Sequence, residues 1–200
     1  MTTNRSIAFF DAQFAHQVKE RDFVLNPFET LALPFLHGEV LDLGSGLGNL
    51  AIEAARKGCS VTALDASVNG IQRINDVATT EGLAIEAKLV DLTTYQIVND
   101  FDVIVSIGLL MFMERLRAWE LLTEIQSHTK PGGSAILNVL IEGTTYLGMF
   151  EPGQYWLFSR TELLDAFVGW ELLESRYDTF EAPGQTVKAF ATLIALKVHA

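Results

Sequence analysis

The range Val40–Asn49 reads VLDLGSGLGN, an apolar run, broken only by Asp42, that leads into Gly44, Gly46 and Gly48. A strand that passes through such a loop into a helix brings its backbone close to a ligand at the helix N-terminus. A side chain at the glycine positions would collide with that ligand. The stretch therefore predicts a small-molecule site at the end of a buried strand.

On either side of this loop, short apolar runs alternate with longer amphipathic ones. After the first strand, helices are predicted over NLAIEAARKG, ending at Gly58, over SVNGIQRINDVATTEG, ending at Gly82, and over RAWELLTEIQSHTK, ending at the glycines of PGG. The intervening strands are predicted over 60–65, 85–92, 101–108 and SAILNVLI. Such alternation predicts right-handed crossovers and a Rossmann-like α/β fold, in which helices cover both faces of a parallel sheet.

The pattern changes near the C-terminal end of the sequence. SRTELLDAFVG predicts a helix with Ser159 as its N-cap and Glu162 at the capping-box position. WELLESRYDTF and VKAFATLIALKV then predict two strands joined by a turn that contains Pro183 and Gly184. The expected sheet is seven-stranded and mostly parallel, with a C-terminal antiparallel hairpin.

Residues 1 to about 35 precede the first strand and are predicted to form a helical lid on a single domain that spans residues 1–200. The segment is expected to be helical to about Asn26, with a second helix starting at Pro27. One face of the first helix is apolar, formed by Phe9, Phe10, Phe14 and Val18. An isolated helix with such a face needs a surface to cover, and the cleft at the carboxyl ends of the strands is the expected one.

Composition limits the classes of partner. The 200 residues are 49% hydrophobic, and 14 basic against 25 acidic residues give a formal charge of −11. This charge opposes binding to nucleic acid or to an anionic membrane. The longest apolar run, Val103–Met113, is too short to span a bilayer, and no secretion signal is recognisable. We expect a cytoplasmic protein, monomeric or homodimeric, whose single cysteine, Cys59, is a buried structural thiol.

Asp65 indicates what the glycine loop binds. It ends the second strand, 65 − 44 = 21 residues after Gly44, where a carboxylate can accept both hydroxyls of a ribose. NAD would suit this distance, but its G-x-G-x-x-G pattern requires glycine at position 49, which is Asn49. Asp42 would also be a poor neighbour for a pyrophosphate. A nucleoside ligand that carries a positive charge is favoured.

The string VLDLGSGLGNLAIEAARKGCSVTALDAS resembles the first motifs of class I S-adenosylmethionine-dependent methyltransferases. KLVDL, FDVIVSIGLLMF and TKPGG resemble the later motifs in the right order. Within that superfamily, LLMFMERLRAWELLTEIQSHTKPGGSAILNVLIEGTTY and the ending VKAFATLIALK are most similar to the tellurite-resistance methyltransferases, which methylate chalcogen oxyanions.

The resemblance implies a set of cofactor-binding residues. The backbone of Gly44, Ser45 and Gly46 would run alongside the methionine moiety of S-adenosylmethionine, and Asp42 would lie near its amino group. Asp65 would bind the ribose. The Asp91 carboxylate would accept a hydrogen bond from the adenine amino group, with the Leu92 amide beside it. Asp91 could instead cap a helix or a turn. The carbonyl groups of Ser106 and Ile107 would meet the methionine end. Asn49 and Ala66 complete the predicted set.

The acceptor pocket is predicted from aromatic and sulfur-containing side chains. The segment between the fifth strand and the next helix lies over the transferred methyl group in this fold. It contains five aromatic residues: Tyr146, Phe150, Tyr155, Trp156 and Phe158. They either serve the site, by shaping an apolar substrate pocket or by holding the sulfonium through cation–π contact, or pack on the N-terminal helices. The predicted substrate-pocket residues are Phe10, Met111, Phe112, Tyr146, Phe150, Trp156 and Arg160.

Basic residues near this pocket depart from the family pattern. The family commonly has a His-Arg pair before its last strand, but here that segment reads YDTFEAPGQTVKAF, with Lys188 as its only base. Arg115, Arg117 and Arg160 are candidates to replace the missing charge. The four histidines, His16, His37, His128 and His199, have no metal-like spacing, and no metal site or catalytic base is predicted.

These features predict an S-adenosylmethionine-dependent methyltransferase that acts on a small soluble acceptor and releases S-adenosylhomocysteine. Tellurite or selenite is the first acceptor considered, because a chalcogen lone pair needs no general base. A small thiol, phenol or amine is the alternative acceptor. Two other classes stay open: an NAD-dependent oxidoreductase and a non-catalytic cofactor-binding module that regulates a partner.

Overall fold

The predicted alternation of strands and helices is present in the computed structural model, which describes residues 5–198. The helices are α1 Arg5–Glu20, α2 Pro27–Ala32, α3 Asn49–Arg56, α4 Val68–Glu81, α5 Arg115–His128 and α6 Glu162–Ala166. The strands are β1 Glu39–Leu43, β2 Ser60–Asp65, β3 Ile85–Leu89, β4 Phe101–Ile107, β5 Thr129–Leu140, β6 Glu171–Ala182 and β7 Thr186–Leu196.

The seven strands form one sheet in the order β3-β2-β1-β4-β5-β7-β6. The first five strands pair in parallel, and β7 lies antiparallel to both β5 and β6. This arrangement confirms the predicted Rossmann-like fold with its C-terminal hairpin. The strand order reverses between β1 and β4, and ligands bind at such a switch point because the connections after the two strands diverge there.

Helices cover both faces of the sheet, so the central strands are apolar on both sides. Leu41, Leu43 and Ile104 face the layer that contains α5, while Val40 and Val103 face the layer that contains α3 and α4. On α3, the predicted packing residues Ala51, Ala54 and Ala55 are all buried. These small side chains let α3 pack closely on β1 and β2, which fixes the position of the loop between β1 and α3.

Several predicted boundaries differ from the structure. α1 ends at Glu20 rather than near Asn26, because Arg21 adopts a left-handed conformation with φ of 55°. β3 ends at Leu89 rather than at residue 92. The PGG segment lies within β5, where a register shift opposite Phe101 and Val103 accommodates it.

The predicted capping box of α6 is only half formed. The Glu162 carboxylate accepts from the Ser159 backbone N–H, but the N-cap residue is Thr161, which makes no side-chain cap hydrogen bond. At the hairpin, Ala182 pairs with Thr186 around the predicted turn. Within residues 5–198, the helices are too short or too polar to cross a membrane. His199 lies outside this range.

Candidate active site

A cavity of about 420 Å³ lies at the carboxyl ends of the central strands, at the switch point between β1 and β4. The loop after β1, the end of β2, the segment after β4, and strands β5 and β7 form its walls. Side chains of α1 and α2 line its remaining side. Because strands of the parallel sheet end here, this edge gathers residues that are far apart in the sequence.

The glycine loop borders this cavity with bare backbone. Gly44 and Gly46 have φ of 75° and 55°, which side-chain-bearing residues rarely adopt. A Cβ on Gly46 would lie 3.1 Å from the Phe14 ring, and one on Gly44 would lie 3.2 Å from Leu109. The N–H groups of Gly44 and Ser45 donate to the Leu64 carbonyl group at 2.9 and 3.0 Å. The backbone of β2 therefore holds the loop in this conformation.

Asp65 lies opposite the loop and is fixed by backbone donors. Its Oδ2 accepts from the Gly46 N–H at 2.8 Å, and its Oδ1 accepts from the Ser67 N–H at 2.7 Å. Burial raises the pKa of Asp65, and these N–H groups oppose the rise. The carboxylate reaches the cavity in a defined orientation, which a ribose-binding group requires.

Three carboxylates, from Glu29, Asp42 and Asp65, line one end of the cavity. Asp42 is 5% exposed, and burial, followed by the charges of Glu29 and Asp65, raises the pKa of Asp42 to about 8. Burial also raises the pKa of Glu29. No cation within residues 5–198 forms an ion pair with any of the three. This end of the cavity is suited to a positively charged ligand.

Two polar atoms in the cavity wall lack partners. Ser45 Oγ and Asn49 Oδ1 are buried, and neither has a hydrogen-bond partner in the described part of the chain. Buried polar groups are normally satisfied, so such atoms on a cavity wall indicate a ligand with donors of its own. Together with the bare loop and the carboxylates, they fit S-adenosylmethionine, which offers an ammonium and ribose hydroxyls.

Most predicted site residues lie around this one cavity. The lining includes Asp42, Gly44, Ser45, Gly46, Asn49, Asp65, Ala66, Leu92, Ile107, Phe10, Met111 and Phe112. The residues that do not line it are Asp91, Ser106, Tyr146, Phe150, Trp156 and Arg160.

Asp91 and Ser106 occupy positions with clear local roles. Asp91 is exposed, and its Oδ1 accepts from both the backbone N–H and the hydroxyl of Thr93, as a turn cap does. Ser106 is fully buried within β4, and its Oγ has no partner in residues 5–198. Their predicted roles in cofactor binding stay predictions.

The predicted aromatic pocket is largely a packed layer behind the cavity. The Phe112 ring faces the cavity, and its centroid lies 5.1 Å from that of Phe10 and 4.8 Å from that of Phe150. Phe150 then stacks on Tyr155 at 4.5 Å. Phe150 is buried, and Phe9 of α1 and Phe112 pack against the cluster that contains it, an arrangement that favours the second of the two roles weighed.

The predicted replacement cations are engaged elsewhere. Arg117 pairs with Glu124 at 2.8 Å, and the Arg115 guanidinium carbon lies 4.8 Å from the Trp156 ring centroid. The corresponding distance from Arg160 to the Tyr177 ring is 4.3 Å. Lys188 is the one basic residue on the cavity wall within the described residues, and His16 is exposed on α1.

Sequence reasoning missed Glu29, Phe28, Asn138, Met149 and Phe190, all of which line the cavity. Glu29 had a signal of its own, since Asn26 and Glu29 form a capping box at the start of α2. That signal locates the helix start but not the direction in which Glu29 points.

α1 is attached to both sides of the cleft. On one side its Asp11 carboxylate accepts from the Ser67 hydroxyl, and Phe14 covers Gly46. On the other side the Ser6 hydroxyl accepts from the Glu151 N–H at 3.1 Å. Of the predicted apolar face, Phe9, Phe10 and Phe14 are partly buried, whereas Val18 is 40% exposed.

The chain is similar to known proteins in both sequence and fold. Residues 18–191 match the family described as "Tellurite resistance protein TehB". A protein of Haemophilus influenzae (strain 10810), named "Probable S-adenosyl-L-methionine-dependent methyltransferase TehB", is 30% identical over 165 residues, or 80% of this chain and 57% of that protein. The crystal structure of TehB from Haemophilus influenzae superposes with a TM-score of 0.77 at 26% identity, covering 90% of this chain and 65% of that chain.

The fold is shared more widely. The N-methyltransferase NodS from Bradyrhizobium japonicum superposes with a TM-score of 0.66 at 15% identity, over 92% of this chain and 98% of that chain. At that identity the likeness concerns the fold alone. This chain spans 57% of the length of the first Haemophilus relative and 65% of the crystallised one, so both are substantially longer.

Proposed function

Because this chain belongs to the tellurite-resistance TehB family, we propose that it is an S-adenosylmethionine-dependent methyltransferase acting on a small soluble acceptor, with tellurite or selenite as the first candidates. The observation that carries the proposal is the buried Asp42 carboxylate beside the glycine loop, which lacks an ion-pair partner in residues 5–198. The ammonium group of S-adenosylmethionine beside Asp42 would stabilise the ionised form of this carboxyl group. The two phosphates of NAD would instead add negative charge beside Glu29, Asp42 and Asp65, which is unfavourable.

Each wall of the cavity has a role in this proposal. The Gly44–Gly46 backbone would run alongside the methionine moiety, and the carboxylates of Asp42 and Glu29 would lie near its ammonium group. Asp65 would accept from the ribose hydroxyls in the orientation that Gly46 and Ser67 impose on it. Leu92 would contact the adenine ring, since it lies on the cavity wall.

The chemistry requires alignment rather than a strong base. S-adenosylmethionine supplies an electrophilic methyl group on its sulfonium sulfur, and the acceptor supplies a lone pair. The residues of this chain would hold the two in line and exclude water, and alignment of this kind contributes much of the rate enhancement in such reactions. The apolar side chains of Phe10, Met111 and Phe112 would keep the reacting end of the cavity dry.

We propose that α1 acts as a lid over this site. Its attachments to Ser67 and Glu151 lie on opposite sides of the cleft, so releasing either one would open a path to the cavity. Lid segments come from the less stable parts of a structure, and closure excludes water from the reaction. The predicted lid therefore has a physical attachment at each side that can be tested.

Thermal unfolding with candidate cofactors tests the cofactor, and an acceptor screen tests the reaction. A ligand at 100 times its Kd stabilises the folded state by about 2.7 kcal/mol. We expect this stabilisation with S-adenosylhomocysteine and none with NAD. Tritiated S-adenosylmethionine should then label products from tellurite, selenite, small thiols, phenols or amines.

Two outcomes would contradict the proposal. Stabilisation by NAD alone would indicate an oxidoreductase. Stabilisation by S-adenosylhomocysteine without any labelled product across the acceptor screen would indicate a non-catalytic cofactor-binding module.

A further inference from the structure

Lys188 occupies an unusual position for a lysine. It lies on β7, is half-buried, and lines the cavity together with Phe190 two residues further along the strand. Residues two apart on a strand point to the same face of the sheet. Its ammonium group lies on the same face as the candidate site and not on the outer surface of the protein.

Within the described residues, this ammonium group has no partner of opposite charge. Among residues 5–198, Lys188 Nζ forms no hydrogen bond and no ion pair, and its nearest specific contact is the Tyr146 ring, with the centroid 4.8 Å away. Burial lowers the pKa of Lys188, and no neighbouring carboxylate opposes that shift. Removing a charge from water without a partner is costly, so an anionic ligand would be stabilised here.

The carboxylates of the cavity do not compensate for this charge. Asp42 lies on β1 and Asp65 on β2, whereas Lys188 lies on β7, and β4 and β5 stand between β1 and β7 in the sheet. Since neighbouring strands are about 4.8 Å apart, β7 lies roughly 14 Å from β1. A cofactor whose amino-acid group sits beside Asp42 would therefore leave Lys188 available to a second ligand.

The surroundings of Lys188 limit the size and kind of that ligand. Tyr146, which Lys188 contacts, packs together with Phe190 against the buried side chains of Leu140 and Met149. Phe190 also contacts Phe28, with ring centroids 4.7 Å apart. The whole cavity measures about 420 Å³, near the lower end of the roughly 300 to 1,000 Å³ typical of ligand pockets. A cofactor with a nucleoside and an amino acid would occupy most of it, which leaves room for only a few atoms.

Resting on the function proposed above, we propose that Lys188 binds a negatively charged group of the methyl acceptor. This chain would then prefer small anionic acceptors over neutral ones of similar size. Lys188 is a specificity-determining residue in this scheme, and Tyr146 is a positioning residue that holds its ammonium group by cation–π contact.

A matched pair of thiols tests this preference. Mercaptoacetate and 2-mercaptoethanol are similar in size and nucleophile but differ in charge. In the wild-type protein we expect the lower KM for mercaptoacetate. Lys188→Gln should raise the KM for mercaptoacetate by about tenfold or more relative to that for 2-mercaptoethanol, because hydrogen bonds to charged groups contribute more than neutral ones. Lys188→Arg should retain the preference, and Lys57→Gln, at an exposed position, should match the wild type.

A binding measurement complements the kinetics. With S-adenosylhomocysteine bound, mercaptoacetate should slow acetylation of Lys188 by acetic anhydride, measured by mass spectrometry, while 2-mercaptoethanol should not. Acetylation of Lys57 in the same sample is the internal reference.

Each outcome has a distinct meaning. If wild-type protein methylates both thiols and Lys188→Gln changes their KM values equally or not at all, the inference about Lys188 is wrong while the proposed function stands. Equal acetylation of Lys188 with and without mercaptoacetate would also overturn it. If the wild type binds the cofactor but methylates neither thiol nor any acceptor in the screen, the proposed function itself fails.

Discussion

The two ends of the cavity are built in different ways. At the end beside the glycine loop, the proposed cofactor end, the single stretch 39–65 supplies the loop and two of the three carboxylates, and backbone hydrogen bonds fix the loop and Asp65. At the end beside Lys188, the proposed acceptor end, α1, α2, β5 and β7 each contribute one or a few side chains. The first end is determined largely by one strand–helix–strand unit, whereas the second depends on how distant segments pack. The same fold can therefore keep one ligand and change the other by altering a few side chains.

The largest effect is expected from Gly46→Val, which tests whether bare backbone defines the cofactor end. A β-branched residue is strained at φ of 55°, and its Cβ would meet Phe14 at 3.1 Å while its side chain enters the cavity. We expect affinity for S-adenosylhomocysteine to fall by about a hundredfold or more, with the fold retained. Isothermal calorimetry and thermal unfolding measure the two effects.

Gly148→Val is the matched control for this variant. A Cβ on Gly148 meets nothing within 4 Å, and the residue has no positive φ. Its affinity for S-adenosylhomocysteine should equal that of the wild type. Full affinity in Gly46→Val would mean that the loop does not face the cofactor.

Deletion of residues 1–25 tests whether the acceptor end depends on α1. The core helices and the sheet remain, so we expect a folded protein whose turnover falls by about a hundredfold, because the reacting groups lose their alignment and their protection from water. Cofactor should also slow amide exchange in α1 more than in β1 or β4 of the intact protein. Undiminished turnover in the truncated protein would show that α1 is not a lid. The same conclusion would follow if the cofactor did not change the rate of amide exchange in α1 of the intact protein.

Asp65→Ala sharpens the comparison at the cofactor end. Removing the carboxylate should weaken S-adenosylhomocysteine binding by about 1.5 to 3 kcal/mol, since charged hydrogen bonds to the ribose are lost. The Gly46 N–H also loses its acceptor, so part of the loss arises from the loop. Asp76→Ala, at an exposed position on α4, is the control. Unchanged calorimetric affinity in folded Asp65→Ala would contradict the ribose assignment.

The smallest expected effect is a pH dependence of cofactor affinity. Burial raises the pKa of Asp42 to about 8 in the free protein, so the carboxyl group is mostly protonated at pH 6. An ammonium group favours the ionised form, so binding should release a proton. Affinity for S-adenosylhomocysteine should then rise with pH between 6 and 7.5, by up to about tenfold per unit.

Folding stability without ligand should change in the opposite direction. The folded state holds the Asp42 proton more tightly than the unfolded state does, so this group lowers the free energy of unfolding as pH rises from about 4 to 8. Asp42→Asn should remove both dependences. A pH-independent affinity in the wild type over this range would mean that Asp42 does not contact the ammonium group.

The residues predicted for the proposed cofactor end come together in the structure because their signals are local. The three glycines, Asp42 and Asp65 lie within two consecutive strand–loop units, and parallel pairing of β1 with β2 brings them together. The alternation of apolar runs likewise predicted the mostly parallel sheet, and the last two apolar runs predicted the hairpin. The structure differs mainly in the boundaries of these elements. β5, for example, includes the PGG segment, because pairing with β4 extends the strand beyond its apolar core.

The acceptor end could not be predicted as well, because it depends on tertiary packing. The sequence has an obvious aromatic cluster in Tyr146, Phe150 and Trp156, yet none of the three lines the cavity. Asn26 and Glu29 have the spacing of a capping box, but nothing local indicates that α2 presents Phe28 and Glu29 to the cavity. Lys188 was visible as the single base of its segment, whereas its lack of a partner emerges only from the positions of the surrounding residues.

The hydrogen bonds that fix Asp65 have an entropic consequence. Its carboxylate is held by the Gly46 and Ser67 N–H groups before any ligand arrives, so its rotamer freedom is already lost during folding. Immobilising a flexible side chain on association costs roughly 0.5 to 1.5 kcal/mol. At this position that cost would be absent from the proposed binding equilibrium, and the affinity for a nucleoside would be higher than the same contacts on a free side chain could provide.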